Sequence, residues 1–321
     1  MKPRVLLTEP VFPDVAHWLS RYVELDIGAR HQFNEETALK AAIPKYDGLL
    51  CMLSNPVSAA VIQAGARLKV IANHAVGLNN IDINACKKHQ IRLAYTPGVL
   101  SDATADGTLA LMLALLRRIP ESQESLRNGH FDGWHPTAFL GLELRGATLG
   151  IIGMGRIGRA VAQRCRAFGM RIIYHNRTRL PEAEEEKLEA RYAETPAELA
   201  SQSDVISLHC PLTPETHHLV DASFLARMKA TAYLINTSRG AVADEAALAR
   251  ALHENRIAGA GLDVFEHEPK LHPLLETAPH TVLTPHITSA TSRTRKKMGL
   301  LCAGALLNEL CGMDEEACFY Q

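Results

Sequence analysis

The stretch Thr148-Leu149-Gly150-Ile151-Ile152-Gly153-Met154-Gly155-Arg156-Ile157-Gly158 combines a short apolar run with the pattern G-x-G-x-x-G, and residues 159–168 continue it with a helical pattern. In such a turn the first glycine permits a tight bend, the second lets a pyrophosphate approach the backbone, and the third lets the helix pack against the strand. The helix N-terminus offers N–H groups and a favourable dipole to the phosphates. The stretch therefore predicts a dinucleotide site centred on Gly153, Gly155 and Gly158.

Length and composition limit the class of protein. The chain has 321 residues, 47% of them hydrophobic and 21% charged, with a formal net charge of −1. The length favours two domains, and the composition is typical of a globular protein with buried cores. Because the charge is balanced, we expect no nucleic-acid or membrane partner, and the longest apolar run, 109–116, is too short to span a bilayer. The N-terminus lacks a signal-peptide pattern, so we expect a cytoplasmic protein.

The seven cysteines contain no C-x-x-C spacing. They fit neither a zinc motif nor an even set of disulfides. We interpret them as reduced core residues, and the sequence indicates no metal site.

Two series of short apolar runs alternate with helical patterns, which is typical of β-α-β units around parallel sheets. The first series predicts strands at 5–7, 23–25, 48–52 and 70–72, with helices at 57–67 and 83–89. The second predicts strands at 149–152, 171–174, 204–208, 232–236, 259–264 and 281–283. Residues 102–118 predict a long buried helix, and residues 291–311 predict a helix that returns to the N-terminal domain. The acidic run 182–186 is interpreted as a solvated helix face.

The second strand of the later series ends in His175-Asn176-Arg177-Thr178-Arg179. In an NAD site, an acidic residue about 20 positions after the glycines accepts hydrogen bonds from the ribose 2′-hydroxyl. Asn176 stands where that acid is expected, and it does not repel a 2′-phosphate as a carboxylate would. Arg177 and Arg179 can form charge-assisted bonds with the phosphate. The alternative is that both arginines are exposed loop charges. The pattern favours NADPH/NADP, with NADH/NAD as the second choice.

Three later segments, 235–240, 261–269 and 283–287, each place a charged or titratable side chain just after an apolar strand. These side chains are Arg239, Glu268 and His286. Ligands of open α/β sheets bind outside the carboxyl ends of the strands, so the three groups can converge on one ligand. Each has a structural alternative when taken alone: a helix-end charge, a surface acid before a proline and a histidine with satisfied hydrogen bonds.

Taken together, these segments resemble the signature regions of the D-isomer-specific 2-hydroxyacid dehydrogenase family. The resemblance covers nearly the whole chain and includes Val76-Gly77, Thr96-Pro97-Gly98-Val99, residues 102–106, the glycine turn and His209-Cys210-Pro211-Leu212-Thr213. Residues 148–158, the Asn176-Arg177 pair and residues 182–192 are similar to the NADPH-preferring branch of glyoxylate/hydroxypyruvate reductases and 2-ketogluconate reductases. With the alternation of elements, the resemblance implies two doubly wound parallel-sheet α/β domains. A Rossmann cofactor domain, 101–287, is inserted into a flavodoxin-like substrate-binding domain, 1–100 with 288–321.

The resemblance also implies an activity, namely the NADPH-dependent reduction of glyoxylate, hydroxypyruvate or 2-ketogluconate to the D-2-hydroxy acid. Arg239 then binds the substrate carboxylate and polarises the carbonyl, His286 is the general acid and base, and Glu268 orients His286. The backbone at Val76 and Gly77 meets the substrate carboxylate. The implied cofactor contacts are Gly153, Gly155, Arg156, Ile157, Gly158, Asn176, Arg177, Thr178, Cys210, Pro211, Thr216, Thr237, Ser238, Asp263 and Thr104. The family acts as homodimers, in which Trp134 either reaches the partner's substrate pocket or is a plain interface aromatic.

One position departs from the family pattern, because Thr288 follows His286-Ile287 where glycine is frequent. A β-branched residue there is expected to crowd the nicotinamide or to alter the loop. Two other functions stay open on this scaffold. Phosphite oxidation is one, whereas the formate branch carries glutamine in place of Glu268. A dinucleotide-sensing regulator without turnover is the other, and a turnover assay separates it from an enzyme.

Overall fold

The computed structural model describes residues 1–320, and every named strand in them pairs in parallel, in two separate sheets. Contacts divide the chain into two compact units. The first unit comprises Met1–Leu100 and the segment from Ala290 onward, and the second unit comprises Ser101–Ser289. The substrate-binding role predicted for 1–100 with 288–321, and the cofactor-binding role predicted for 101–287, stay predictions.

The first unit has a five-stranded sheet in the order β2-β1-β3-β4-β5. This is the strand order of flavodoxin-like folds. Strands β3 and β4 are buried throughout, as expected where helices cover both faces of a parallel sheet. Its N-terminal elements are β1 (Arg4–Leu7), α1 (Pro13–Ser20), β2 (Glu24–Ile27), α2 (Glu36–Ala42), a 3₁₀-helix (Ile43–Lys45), β3 (Gly48–Cys51), α3 (Ala59–Ala64), β4 (Val70–Asn73), α4 (Ile83–Lys88) and β5 (Arg92–Ala94).

The second unit has a seven-stranded sheet in the order β12-β11-β10-β9-β6-β7-β8. The strand order reverses between β6 and β9, which is the switch point where doubly wound sheets bind ligands. Its elements are α5 (Ser101–Leu116), α6 (Ile119–Arg127), β6 (Thr148–Ile152), α7 (Arg156–Ala167), β7 (Arg171–His175), α8 (Glu182–Leu188), β8 (Ala190–Tyr192), α9 (Pro196–Gln202), β9 (Val205–Leu208), α10 (Ala222–Leu225), β10 (Tyr233–Asn236), a 3₁₀-helix (Gly240–Val242), α11 (Glu245–His253), β11 (Gly259–Leu262), α12 (Pro273–Glu276) and β12 (Thr281–Leu283).

The last helix, α13 (Ser292–Cys311), belongs to the first unit, as the pattern over 291–311 predicts. Its residues Cys302, Leu306 and Leu307 are buried in one core with Val5 and Val70. After the helix, the chain pairs with the edge of the first sheet, where Tyr320 N donates to Leu93 O at 2.7 Å. The helix therefore completes the first sheet's packing on the face that α1 also covers.

The differences from the predicted elements have local causes. The helix expected over 57–67 is shorter, because Ser58 caps it by accepting from Val61 N and Gly65 follows its last residue. The helix expected over 102–118 ends at Leu116, and Arg118, with φ 53°, precedes the separate helix α6. Strands β5 and β8 were not predicted, since Arg92 and Arg191 interrupt their short apolar runs.

All seven cysteines are free thiols, but the expectation that they lie in the core is wrong for two of them. Cys311 is exposed and Cys318 is partly exposed, whereas the other five are buried. Among the described residues, no helix has the length and apolar character needed to cross a membrane.

Candidate functional site

The glycine turn lies at the carboxyl edge of the second sheet, between β6 and α7. Gly153 has φ 98°, and a Cβ on it would lie 2.5 Å from Cys210 N, so only glycine fits there. A Cβ on Gly158 would lie 2.3 Å from Gly153 O, which shows how closely α7 packs on the turn. A Cβ on Gly155 would meet nothing within 4 Å. The turn is therefore tight on its protein side and open beside Gly155.

This geometry fits a diphosphate. Gly155 is the N-cap of the 12-residue helix α7, and no side chain caps the helix there. The N-terminal N–H groups and the helix dipole favour a bound anion at that end. The neighbouring strands end in register, because Ile152 pairs with His175 of β7 and with Leu208 of β9. Arg156, Ile157, Asn176 and Cys210 accordingly lie at the same edge of the sheet as the glycines.

The loop after β7 is tied to the glycine turn by Asn176, whose Oδ1 accepts a hydrogen bond from Met154 N at 2.7 Å. Arg177 and Thr178 are exposed. A hydrogen bond from Thr213 lowers the pKa of the Glu215 carboxyl, and the charge of Arg177 adds to that change. Arg179 differs from Arg177, because its Nε and Nη2 donate to Glu185 Oε1 and Oε2 at 2.9 and 2.8 Å. Of the two arginines expected near a 2′-phosphate, Arg179 is thus already paired with an acid.

Glu185 corrects the interpretation of 182–186 as a solvated face. Its side chain is only 9% exposed, and the Tyr174 hydroxyl also donates to it. The hydrogen bonds from Arg179 and Tyr174, with the arginine's charge, outweigh desolvation and lower the pKa of the Glu185 carboxyl. No sequence signal distinguishes Glu185 from its acidic neighbours, because its burial depends on the packing of α8 beside β7.

Most of the remaining predicted cofactor residues follow strands of the second sheet, and Thr104 lies in α5. Thr216 Oγ1 donates to Pro211 O at 2.6 Å and so holds the loop after β9. Thr108, which was not predicted, lies 2.9 Å from the Thr237 hydroxyl and donates to Thr104 O at 2.7 Å. Ser238 is buried, and its N–H and hydroxyl both donate to Asn236 Oδ1, at 3.0 and 2.9 Å. Hydrogen bonds therefore order the backbone around these predicted contacts.

Strands β10, β11 and β12 end in register, since Asn236 pairs with Leu262 and Leu262 with Leu283. The segments that carry Arg239, Glu268 and His286 therefore start at one edge of the sheet, as predicted. Arg239 is partly buried, and its Nη1 donates to Ser238 O at 2.6 Å. Burial lowers the pKa of this guanidinium while the charge of Glu268 opposes the change, and a guanidinium stays a cation near neutral pH.

His286 and Glu268 form a pair in which His286 Nδ1 lies 3.0 Å from Glu268 Oε2. Because a carboxylate only accepts, Nδ1 carries the proton and Nε2 is the nitrogen left for another partner. Glu268 Oε1 also accepts from Phe265 N at 3.1 Å. Burial raises the pKa of Glu268, but the hydrogen bond and charge of His286, the Phe265 N–H and the charge of Arg239 outweigh it, so the net pKa lies below the ordinary carboxyl value.

Asp263 has a role that the sequence did not indicate. Its side chain has no exposed surface, and its two oxygens accept four hydrogen bonds from the loop after β12. The donors are Thr284 Oγ1 at 2.6 Å, Ile287 N at 2.7 Å, Thr288 N at 2.9 Å and Thr288 Oγ1 at 2.7 Å. Asp263 thus holds the loop that presents His286, and the predicted contact between Asp263 and the cofactor stays a prediction.

Val76 and Gly77 lie in the first unit, after β4. The carbonyl of Gly77 accepts from Asn73 Nδ2 at 2.8 Å, and Asn80 Nδ2 donates to Met52 O and Asn55 O, each at 3.1 Å. These buried and half-buried amides order the segment. Its contact with a substrate stays a prediction.

Among the described residues, one group has the spacing of metal ligands, namely His217, His218 and Glu266, whose ligand atoms lie within 4.8 Å of one another. His218 Nε2 lies 3.0 Å from Glu266 Oε1, so these two residues already satisfy each other. The imidazoles of His217 and His218 stack with centroids 4.0 Å apart and planes at 28°. Nearly parallel rings do not direct their nitrogen lone pairs at one point, so the group is better explained as a hydrogen-bonded stack.

Comparison with known proteins gives a consistent result across the chain. The family model described as "D-isomer specific 2-hydroxyacid dehydrogenase, NAD binding domain" matches residues 109–288. Glyoxylate reductase of Thermococcus litoralis is 45% identical over 311 residues, which cover 96% of this chain and 93% of that protein. A solved structure of a protein from Thermus thermophilus matches with a TM-score of 0.91 at 41% identity, covering 99% of this chain and 100% of the other.

A further solved structure is similar along almost its entire length. It is the NADPH-dependent glyoxylate/hydroxypyruvate reductase of Sinorhizobium meliloti in complex with NADP and malonate, with a TM-score of 0.85 at 33% identity. The alignment covers 96% of this chain and 93% of that one. The similarity to these relatives therefore extends over both units.

Proposed function

Because the chain belongs to the D-isomer-specific 2-hydroxyacid dehydrogenase family and is an NAD(P)-dependent oxidoreductase, we propose that it reduces a small 2-oxo acid to the D-2-hydroxy acid with NADPH. The candidate substrates are glyoxylate, hydroxypyruvate and 2-ketogluconate. The observation that carries the proposal is the His286–Glu268 pair, at 3.0 Å, on the sheet edge that also bears Arg239.

The cofactor, when bound, supplies a hydride to the carbonyl carbon of the substrate. Arg239 binds the substrate carboxylate with its planar cationic fork and polarises the adjacent carbonyl. Its fixed position follows from the hydrogen bond to Ser238 O and from Asn236, whose Nδ2 donates to Arg239 O at 2.9 Å. The predicted contact of Val76 and Gly77 with the same carboxylate belongs to this proposal.

Protonation of the carbonyl oxygen falls to His286. As the C=O double bond accepts the hydride at carbon, its electron pair moves to oxygen and takes the proton from Nε2 of the imidazolium. The neutral imidazole then regains a proton from solvent, and the reverse sequence makes His286 the base in oxidation. Since the pKa of Glu268 is lowered, this residue is a carboxylate near neutral pH, and its negative charge stabilises the imidazolium that donates the proton.

The preference for NADPH rests on the loop after β7. Asn176 stands where an acid would repel a 2′-phosphate, and Arg177 is exposed beside it. Gly153, Gly155, Arg156, Ile157 and Gly158 would hold the diphosphate. Thr178, Cys210, Pro211, Thr216, Thr237, Ser238, Asp263 and Thr104 are proposed to line the rest of the cofactor site, and a homodimer is proposed as the active form. The Sinorhizobium relative, itself NADPH-dependent, supports the same preference.

A kinetic comparison tests the proposal. The purified protein should oxidise NADPH with at least one of the three 2-oxo acids, and faster than it oxidises NADH. His286→Ala should lower kcat about 10³-fold while the Kd for NADPH, measured by its fluorescence on binding, changes by less than about twofold. His253→Ala, which alters an exposed histidine at the end of α11, is the matched control and should keep the wild-type rate.

Two outcomes would contradict the proposal in different ways. NADPH binding without turnover of any of the three acids would favour a dinucleotide-sensing regulator. Equal kcat/KM with NADPH and NADH would remove the cofactor preference and leave the reductase assignment in place.

A further inference from the structure

Thr288 is the residue at which this chain departs from the family pattern, and the structure shows where its side chain goes. Its N–H and its hydroxyl both donate to Asp263 Oδ2, at 2.9 and 2.7 Å. A Cβ on Gly107, in α5, would lie 2.7 Å from Thr288 Cα and 2.8 Å from Thr288 Cβ. The bare backbone of Gly107 therefore provides the space for the threonine, which is packed against α5 and bonded to a buried acid.

His286, two residues earlier, has an unfavourable backbone conformation. Its φ is 54°, in the left-handed region that a residue with a Cβ rarely adopts. Such a conformation persists only where the surrounding structure enforces it. Its N–H donates to Asp263 O at 2.8 Å, so the backbone of Asp263 contributes to that restraint.

The side chain of Asp263 holds the residues on both sides of His286. Before it, the Thr284 hydroxyl donates to Oδ1, and after it, Ile287 N donates to the same oxygen. Both donors to Oδ2 come from Thr288. Because Asp263 is fully buried, water cannot replace a donor that is lost.

We propose that Thr288 is a positioning residue for the reduction, whose hydroxyl acts through Asp263 to keep His286 in its left-handed conformation with Nδ1 on Glu268. The inference rests on the proposed function only for its kinetic consequence. Loss of the hydroxyl leaves Asp263 Oδ2 with one donor, the N–H of Thr288. The loop is then less restrained at His286, which must come within hydrogen-bond distance of the substrate. The residue expected to disturb this loop instead binds Asp263 through its hydroxyl.

Thr288→Val tests the proposal, because valine keeps the shape of threonine and removes only the hydroxyl. We expect kcat for the 2-oxo acid to fall about tenfold, since small displacements of a catalytic group are costly, while the KM for NADPH changes less than about twofold. Thr288→Ser keeps the hydroxyl and should recover at least half of the wild-type kcat. Thr195→Val is a matched control, since Thr195 caps α9 and its loss should lower the melting temperature without changing kcat.

Hydrogen–deuterium exchange gives a readout that does not depend on turnover. The amides of 286–288 should exchange faster in Thr288→Val than in the wild type, and Thr288→Ser should protect them again. If Thr288→Val does not fold, Thr288→Gly removes the same hydroxyl and should give the same pattern. Wild-type kcat and exchange in the variants without the hydroxyl would overturn the proposal, as would equal losses in Thr288→Val and Thr288→Ser. A wild-type protein inactive with every acid but with the expected exchange pattern would instead count against the proposed function alone.

Discussion

The loop after β12 and the loop after β7 lie at the same edge of one sheet but are restrained to different extents. In the loop after β12, the buried acid Asp263 accepts four hydrogen bonds from residues 284–288, and His286 is fixed at both ends. In the loop after β7, Arg177 and Thr178 are exposed, and Arg179 is bound by the buried acid Glu185 of α8.

The two loops differ in restraint because the functions proposed for them differ in how precisely a side chain must be placed. A group that transfers a proton must be placed within a few tenths of an ångström, so a loop restrained by a buried acid suits it. A group that selects a phosphate by its charge tolerates mobility, because Coulomb attraction falls gradually with distance. Substitutions in the first loop should therefore change kcat strongly, whereas substitutions in the second should change cofactor affinity moderately.

After His286→Ala, Glu268→Gln is expected to have the largest effect, because it removes the negative charge beside His286, the residue that the restrained loop presents. Glutamine can still bond to His286 but no longer stabilises the imidazolium. We expect kcat for reduction to fall about 10²-fold at neutral pH and its pH profile to move toward acid, since the negative charge that favours the proton-donating form is gone. Steady-state rates from about pH 6 to about pH 9 measure both effects.

The control for this prediction is the wild-type profile over the same range. The pKa of Glu268 lies below the ordinary carboxyl value, so Glu268 stays ionised there, and its contribution is lost only as the pH falls through that lower pKa. A variant with reduced kcat and an unshifted profile would show that Glu268 orients the imidazole without stabilising its charge.

The parts of this site that the sequence predicted are those with short-range signals. The glycine turn, the strands with uninterrupted apolar runs and the positions of Arg239, Glu268 and His286 after such strands depend on patterns within about ten residues of one another. The carboxyl ends of parallel strands share an edge by geometry, so the convergence of the three segments also followed.

The parts that it missed depend on partners distant in the chain. Thr288 is expected from the sequence to be an obstruction, because Gly107, which makes room for it, lies in a helix far earlier in the chain. Asp263 is assigned to the cofactor alone, because nothing in its segment indicates four donors after β12. Glu185 is expected to be exposed because the run of acids around it is uniform, whereas in the structure it contacts Arg179 and Tyr174.

Asn176→Asp tests the loop after β7 with the smallest change of shape. An aspartate can still accept the hydrogen bond from Met154 N, so the variant adds a charge and keeps the contact that holds the loop. The carboxylate should repel a 2′-phosphate and accept the 2′-hydroxyl of NADH. We expect the ratio of kcat/KM for NADPH to that for NADH to fall at least about tenfold, with kcat itself nearly unchanged. An unchanged ratio would show that position 176 does not face the ribose.

The smallest effects are expected from the two arginines, and they should differ in kind. Arg177→Ala should raise the KM for NADPH about fivefold with little change in stability, because Arg177 is exposed and offers its charge to the phosphate.

Arg179→Ala should raise the KM for NADPH less, because Glu185 already binds Arg179. It should also lower the midpoint of urea unfolding, because it leaves the buried Glu185 carboxylate with fewer donors. Arg179→Ala combined with Glu185→Gln removes that unpaired charge and should recover part of the stability in the same urea titration. A larger KM effect at Arg179 than at Arg177 would instead mean that Arg179 leaves Glu185 to bind the cofactor. Contact with a buried acid would then not distinguish residues that are held in place from residues that bind the phosphate.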